Sequence, residues 1–401
     1  MDAAASVRAL NVASLSSVSP ELVLAAGAVA IPLVGVALGR RRGACGTTAA
    51  FGAAVLALAA FATLIQAGHA PRALFGGLLV DDGVSLLFRW IFLGAGLLTL
   101  TLAARSPQVP DSRFGEFLGL TLAMLAGMGL MAASANLLLA WLSVELVSLC
   151  SYALSGFRGR DRASAEAALK FVVYGGVASG VMLFGITYLF GLTGSLSLPH
   201  IGAALAGSES RAVVLVALVF VLAGLGYKLA AAPWHMWAPD VYEGAPTPFT
   251  ALLSVASKAA AFALALRLLH PMFGAPALPL AGLLGLVAAT SMTFGNLAAL
   301  GQTNLKRLLA YSSVAHAGYL LVGLATGTRA GQVAVLLGLG VYALMNFGAF
   351  AVVEAVGRAA GGEDVGRFRG LGRRAPFTAV SFAVFLFSLT GLPPLAGFVA
   401  K

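Results

Sequence analysis

Charge is scarce in this chain. Only 10% of its 401 residues are Asp, Glu, Lys or Arg, against 60% hydrophobic residues, and a soluble domain of this size cannot cover its surface with so little charge. The mean hydropathy of +0.94 points the same way, to a polytopic membrane protein. Cysteine is rarer still. Cys45 and Cys150 lie far apart, one beside a basic loop and one inside an apolar run, which argues against a disulfide framework or a cysteine metal site. Acidic residues number 15 against 25 basic ones, for a net charge of +10. The basic residues nevertheless stand in short clusters between apolar runs, the pattern that orients helices in a bilayer, so nucleic acid is not an expected partner. The sequence also lacks a glycine-rich dinucleotide loop, a Walker loop, a haem-attachment motif and any His and carboxylate spacing suited to a metal. Nucleotides, redox cofactors and metals have no evident place to bind.

What the chain has in abundance is apolar runs of about 20 residues, the length that crosses the hydrocarbon core of a bilayer. Spans are expected near 20–39, 47–68, 84–104, 116–133, 135–156, 166–190, 211–232, 248–269, 277–299, 308–326, 330–357 and 376–401. Threading the basic residues through this map sorts them strongly. Arg40 to Arg42, Arg105, Arg113, Arg158, Arg160, Arg162, Lys306, Arg307, Arg358, Arg367, Arg369, Arg373 and Arg374 fall on one side, and only Arg8, Arg72, Arg211, Arg267 and Arg329 near the other. The basic side is cytoplasmic, which puts the N-terminus outside, in the periplasm of a Gram-negative cell, and the chain in the inner membrane. The first basic cluster follows the first apolar run, the reverse of a signal peptide. Arg89 lies inside a run but near its end, where snorkelling accounts for it.

Four lysines belong to neither side: Lys170, Lys228, Lys258 and Lys401. An ammonium at membrane depth is expensive and marks an ion or proton path. Pro233 lies just beyond Lys228 and cannot donate to the carbonyl of Leu229, so that helix should break between them. The stretch Leu222-Ala223-Gly224 followed by Lys228 returns as Leu395-Ala396-Gly397 followed by Lys401, with Pro393 and Pro394 breaking the second copy. Asn136-Leu137 has an echo in Asn304-Leu305. Offsets of 173 and 168 residues enclose an odd number of helices, about five, so the second copy would be inverted. On this reading 1–110 holds helices 1–3, 111–270 the first repeat and 271–401 an incomplete second one. The counterpart of Lys258 would fall near position 431, beyond Lys401, so a longer chain is expected.

Glu145 is the carboxylate expected within reach of these lysines, and pairing with Lys228 would let both stay charged. A lysine left without such a partner is a proton carrier when its pKa falls towards the working pH. His316 is placed to relay protons between repeats, whereas His235 serves equally well as an inward proton acceptor or a packing residue. Asp240 and Glu243 are expected at helix starts and partner contacts rather than in transport.

AAAPWHMWAPDVYEGAPTPFTALLSVASKAAAF, NLKRLLAYSSVAHAGY and GLPPLAGFVAK resemble the subunit N family of bacterial proton-pumping NADH:quinone oxidoreductase, respiratory complex I, over nearly the whole chain from about residue 70. The resemblance implies an all-α membrane fold of about twelve helices in two inverted five-helix repeats, with helices 7 and 12 broken. It implies proton translocation through Glu145, Lys170, Lys228, Lys258, His316 and Lys401, coupled to quinone reduction. No cofactor is expected in this chain, while flavin mononucleotide, iron–sulfur clusters and quinone belong to partner subunits. Its implied neighbours are other membrane-arm subunits, related antiporter-like subunits among them, and membrane lipids. Two alternatives stand beside it: a subunit of a multisubunit cation/proton antiporter, and a membrane scaffold that does not pump.

Overall fold

Short polar side chains, those of Asp82, Asn136, Asp161, Asn304 and Thr328, fix where five of the long helices start. The computed structural model describes residues 14–39, 43–159, 161–206, 211–274 and 279–401. Arg8, the Arg40 to Arg42 cluster and Arg160 lie outside them. In chain order the helices are α1 (Ser19–Leu38), α2 (Ala44–Gln66), α3 (Gly83–Ala103), α4 (Phe114–Ala133), α5 (Leu137–Ser155), α6 (Arg162–Thr193), α7 (Leu198–Ala206), α8 (Arg211–Leu229), α9 (Ala238–Gly244), α10 (Thr247–Leu252), α11 (Lys258–Leu269), α12 (Leu280–Leu300), α13 (Leu305–Ala325), α14 (Arg329–Ala360), α15 (Leu371–Arg374), α16 (Pro376–Thr390) and α17 (Ala396–Ala400). A π turn over Leu253–Ser257 joins α10 to α11 in one span. A small antiparallel hairpin, β1 (Arg72–Leu74) with β2 (Leu79–Asp81), fills the loop between α2 and α3.

Eleven helices among the described residues are long and apolar enough to cross a membrane, and they fall where the apolar runs do. This is a multi-pass membrane protein. The twelfth expected span is shorter: α16 stops at Thr390, and the chain turns through Gly391 to Leu395 before α17. From Thr247 to Leu266 every residue is buried, which puts this span at the centre of the bundle, while α1, α2 and α12 lie at its rim.

The repeat is visible in the caps. The side chain of Asn136 accepts from the backbone at the start of α5 and that of Asn304 does so for α13, 168 residues later. Asp161 caps α6 and Thr328 caps α14, and both helices run for 32 residues. Asn136 then bridges to Ser197 just past α6, and Asn304 to Asp364 just past α14. The same lock closes each unit. α13 is the fifth crossing after α5, and an odd step inverts the second unit relative to the first.

Arg89 does not snorkel. It is only 3% exposed, and all five of its N–H donors are used: Nε to Glu21 Oε1 at 2.7 Å, Nη1 to Gln66 Oε1 at 2.7 Å and Asp81 Oδ1 at 3.0 Å, and Nη2 to the Ser17 carbonyl at 3.1 Å and Glu21 Oε2 at 3.3 Å. The guanidinium thus holds α1, α2, α3 and the hairpin at one point.

Candidate functional site

The helix carrying Lys228 ends one residue later. Ala230 takes a left-handed φ of 53°, its N–H bonds the Tyr227 carbonyl at 3.0 Å, and the Ala231 N–H reaches back to Gly226 at 2.8 Å. This is the Schellman closure that glycine usually makes. Alanine makes it here at some steric cost, so the sequence carries no glycine signal for the stop. The break falls three residues ahead of Pro233. Trp237 Nε1 also donates to the Tyr227 carbonyl at 3.1 Å, a second bond to the acceptor that takes the Ala230 N–H.

In the first half, Lys228 is buried on α8 and forms no ion pair with a described carboxylate. Glu145 is the acid whose charge reaches it, yet its Oε1 accepts from the Ser179 hydroxyl, which in turn accepts from Trp141 Nε1 at 3.0 Å. The two residues are neighbours without touching. Lys170 differs from the expectation of a lysine without carboxylate partners. Its side chain is 37% exposed and pairs with Glu166 at 2.7 Å and Asp240 at 2.5 Å. Asp240 and Glu243 are not mere cap residues either: both bind Arg307 Nη1, at 2.6 and 2.9 Å. One short helix, α9, thereby ties α6 in the first unit to α13 in the second.

Burial alone would raise the Asp240 carboxyl, but hydrogen bonds from Lys170 and Arg307 outweigh it and hold it below its ordinary value. A carboxyl depressed in the folded state stabilises at pH above its unfolded value of about 3.9 and ceases to do so as pH falls through the lowered one. The gap in thermal midpoint between wild type and Asp240→Asn is therefore expected to be constant near neutrality and to shrink below about pH 4. A gap that widened on acidification would contradict the assignment.

At the junction of the two units, Lys258 lies directly after the π turn, 2% exposed. Its Nζ donates to the Ser313 carbonyl at 2.5 Å and lies 5.9 Å from the centre of the Tyr342 ring. The Ser313 hydroxyl meets that of Tyr242 at 3.2 Å. His316, one turn along α13, contacts the Ser312 carbonyl through Nδ1 at 2.8 Å. A carbonyl only accepts, so Nδ1 bears hydrogen, and in the neutral ring the buried Nε2, which has no described partner, holds the lone pair. The charges of both Lys258 and Lys401 reach this ring. Lys401 Nζ donates to the Thr390 carbonyl at 3.1 Å, at the break before α17, and sits 4.6 Å over the Tyr319 ring.

His235 makes no hydrogen bond through Nδ1. Its ring packs near Phe294 and Tyr311 beside an apolar cavity of about 470 Å³. The site also contains a lysine that charge sorting hid. Lys306, counted with the cytoplasmic basic residues, is 0% exposed, and its Nζ donates to the Ala245 carbonyl at 2.6 Å. Its position in the first turn of a span made it look like a loop residue. Among the described residues no group of His, Cys, Asp and Glu is arranged to hold a metal.

Broken helices, inverted units and a string of buried lysines define an antiporter-like membrane subunit. Residues 134–401 match the family described as NADH:quinone oxidoreductase/Mrp antiporter, TM. The chain is 50% identical over 403 aligned positions to the NADH-quinone oxidoreductase subunit N of Anaeromyxobacter sp. (strain Fw109-5), covering 95% of this chain and 78% of that relative. It is 48% identical to NADH-quinone oxidoreductase subunit N 2 of Sorangium cellulosum (strain So ce56), covering 98% and 81%. A chain of respiratory complex I from Thermus thermophilus with bound aureothin superposes with a TM-score of 0.78 at 38% identity, over 95% of this chain and 80% of that one. The Mrp complex of Dietzia sp. DQ12-45-1b shares the fold, with a TM-score of 0.81 at 24% identity over 96% and 73% of the two chains. The chain belongs to the NADH-quinone oxidoreductase subunit N family.

Proposed function

We propose that this chain carries protons across the bacterial inner membrane as a membrane-arm subunit of an NADH-quinone oxidoreductase, with its N-terminus on the periplasmic side. Units near 111–270 and 271–401 each supply half of the path. Quinone is reduced in partner subunits that hold the flavin and the iron–sulfur clusters, and the change reaches this chain through neighbouring membrane subunits. Its own residues move the protons. Glu145 and Lys228 form a two-state pair, open when Ser179 holds the carboxylate and closed when the carboxylate turns to Lys228. Closing the pair holds charge on Lys228, and opening it releases a proton towards Lys258. From Lys258 the proton passes to the free Nε2 of His316, then to Lys401 and the outside. Lys170, tied to Asp240, senses the state of the first half at its cytoplasmic end.

The observation that carries this reading is Lys258, a buried amine bonded to a carbonyl and to no described carboxylate. A residue kept for packing would be cheaper as leucine or methionine. The test uses Glu145→Gln and Lys228→Ala in the native complex. Both are expected to leave normal amounts of complex on a native gel, to abolish most proton uptake into vesicles and to slow quinone reduction. Glu145→Asp should keep part of the activity, since charge is preserved and only reach is shortened. Full pumping in both neutral variants removes the pair from the path, and loss of assembly in step with activity makes it a structural pair instead.

A further inference from the structure

Three acids are buried among the described residues: Glu21, Asp81 and Glu354. The first two bind Arg89. Glu354 is 7% exposed and neither carboxylate oxygen has a partner, so its charge is not used to hold helices together. It lies on α14, on a face that carries Tyr342, Asn346, Phe350 and Glu354 at intervals of four, all buried. At 1.5 Å per residue this stripe is about 18 Å long. Its inner end joins the site already described. Asn346 Nδ2 donates to the Tyr342 hydroxyl at 2.9 Å and to Ser254 Oγ at 2.8 Å, and the Tyr342 ring lies 5.1 Å from that of His316 and 5.9 Å from Lys258 Nζ.

The outer end of the stripe faces the cytoplasmic side, where α14 closes onto the start of α13. The Leu305 N–H donates to the Glu363 carbonyl at 3.0 Å and the Val365 N–H to the Thr303 carbonyl at 2.8 Å. This closure brings the first turn of α13, with Lys306, to the last turns of α14. The charges of Glu363, Arg158, Glu354 and Glu243 all reach Lys306, whose ammonium is otherwise bonded only to the Ala245 carbonyl.

We propose that Glu354 is the group through which the second unit takes up protons from the cytoplasmic phase, with Lys306 as its counter-charge. This rests on the proton-translocating reading above. One proton from the aqueous phase adds to a carboxylate oxygen of Glu354, and the same proton leaves inward along the stripe towards Tyr342 and Lys258, which restores the carboxylate. Lys306 supplies the compensating positive charge while the carboxylate is empty. Phe350, between Glu354 and Asn346, is a dry segment that must be wetted for passage, the kind of apolar constriction that prevents leakage.

The test is infrared difference spectroscopy of the purified complex, oxidised against NADH-reduced, with proton uptake per electron measured in vesicles. Glu354→Gln is expected to remove a carboxylic-acid C=O band seen in wild type and to lower proton uptake per electron by at least half of what Lys258→Met removes. Glu354→Asp should shift that band rather than abolish it, and it gives the same reading if the glutamine variant assembles poorly. An unchanged band in both variants overturns the proposal, as does an unchanged stoichiometry. Lys258→Met separates the two levels. If it stops pumping while the Glu354 variants change nothing, only the role of Glu354 falls. If Lys258→Met itself pumps normally, the translocation reading falls with it.

Discussion

Replacing Lys258 by methionine is expected to stop proton translocation through this subunit while the complex still assembles. Methionine has a similar length and no branch, so it fills the space of the lysine stem, and removing a buried ammonium relieves a desolvation cost of several kcal/mol. The bond given up is the one to the Ser313 carbonyl at 2.5 Å. Ser313 lies inside α13, where its carbonyl already accepts from within the helix, so no acceptor is stranded. Stability should hold or rise, while the proposed step between Lys228 and His316 loses its amine. Proton uptake in vesicles and abundance on a native gel measure the two effects separately. Normal pumping by this variant would remove the central residue of the path.

The reverse outcome is expected at Arg89. Arg89→Met leaves Glu21 and Asp81 buried without their partner, and breaking a buried ionic cluster in this way costs about 3–5 kcal/mol. Proton chemistry is not the readout. The thermal midpoint of the complex should fall and the amount assembled should drop. Arg89→Lys should recover only part of the loss, because an ammonium cannot reproduce a planar fork that meets Glu21, Asp81 and Gln66 together. Arg89→Met combined with Glu21→Gln and Asp81→Asn should be more stable than Arg89→Met alone, since fewer charges are stranded. If the single variant matches wild type, the cluster does not hold the N-terminal helices.

Most of the architecture was legible because the bilayer makes simple demands. A span needs about 20 apolar residues, and all eleven long helices satisfy that demand where hydropathy puts them. The break after Leu229 was legible from Pro233, and the inverted copy from short motifs at near-equal offsets. What stayed hidden depends on contacts between distant segments. Arg307 looked like a loop charge until α9 brought Asp240 and Glu243 to it, and Lys170 looked solitary because Asp240 stands 70 residues away. Arg89 looked able to snorkel because its partners come from three other segments. The place of Glu354 was hidden too, since the last turns of α14 meet the first turn of α13 only in the fold.

The π turn at Leu253–Ser257 leaves no mark on hydropathy and contains no proline, yet it decides where Lys258 points. A turn that holds one residue more than an α turn rotates everything after it by about 100°. The helix before the turn and the helix after it are therefore out of phase, and no single stripe drawn along this span describes both. Deleting one residue from this turn would leave composition, length and apolarity nearly untouched and swing Lys258 off Ser313 onto another side of the bundle. In this span the address of the amine is kept as a count of residues.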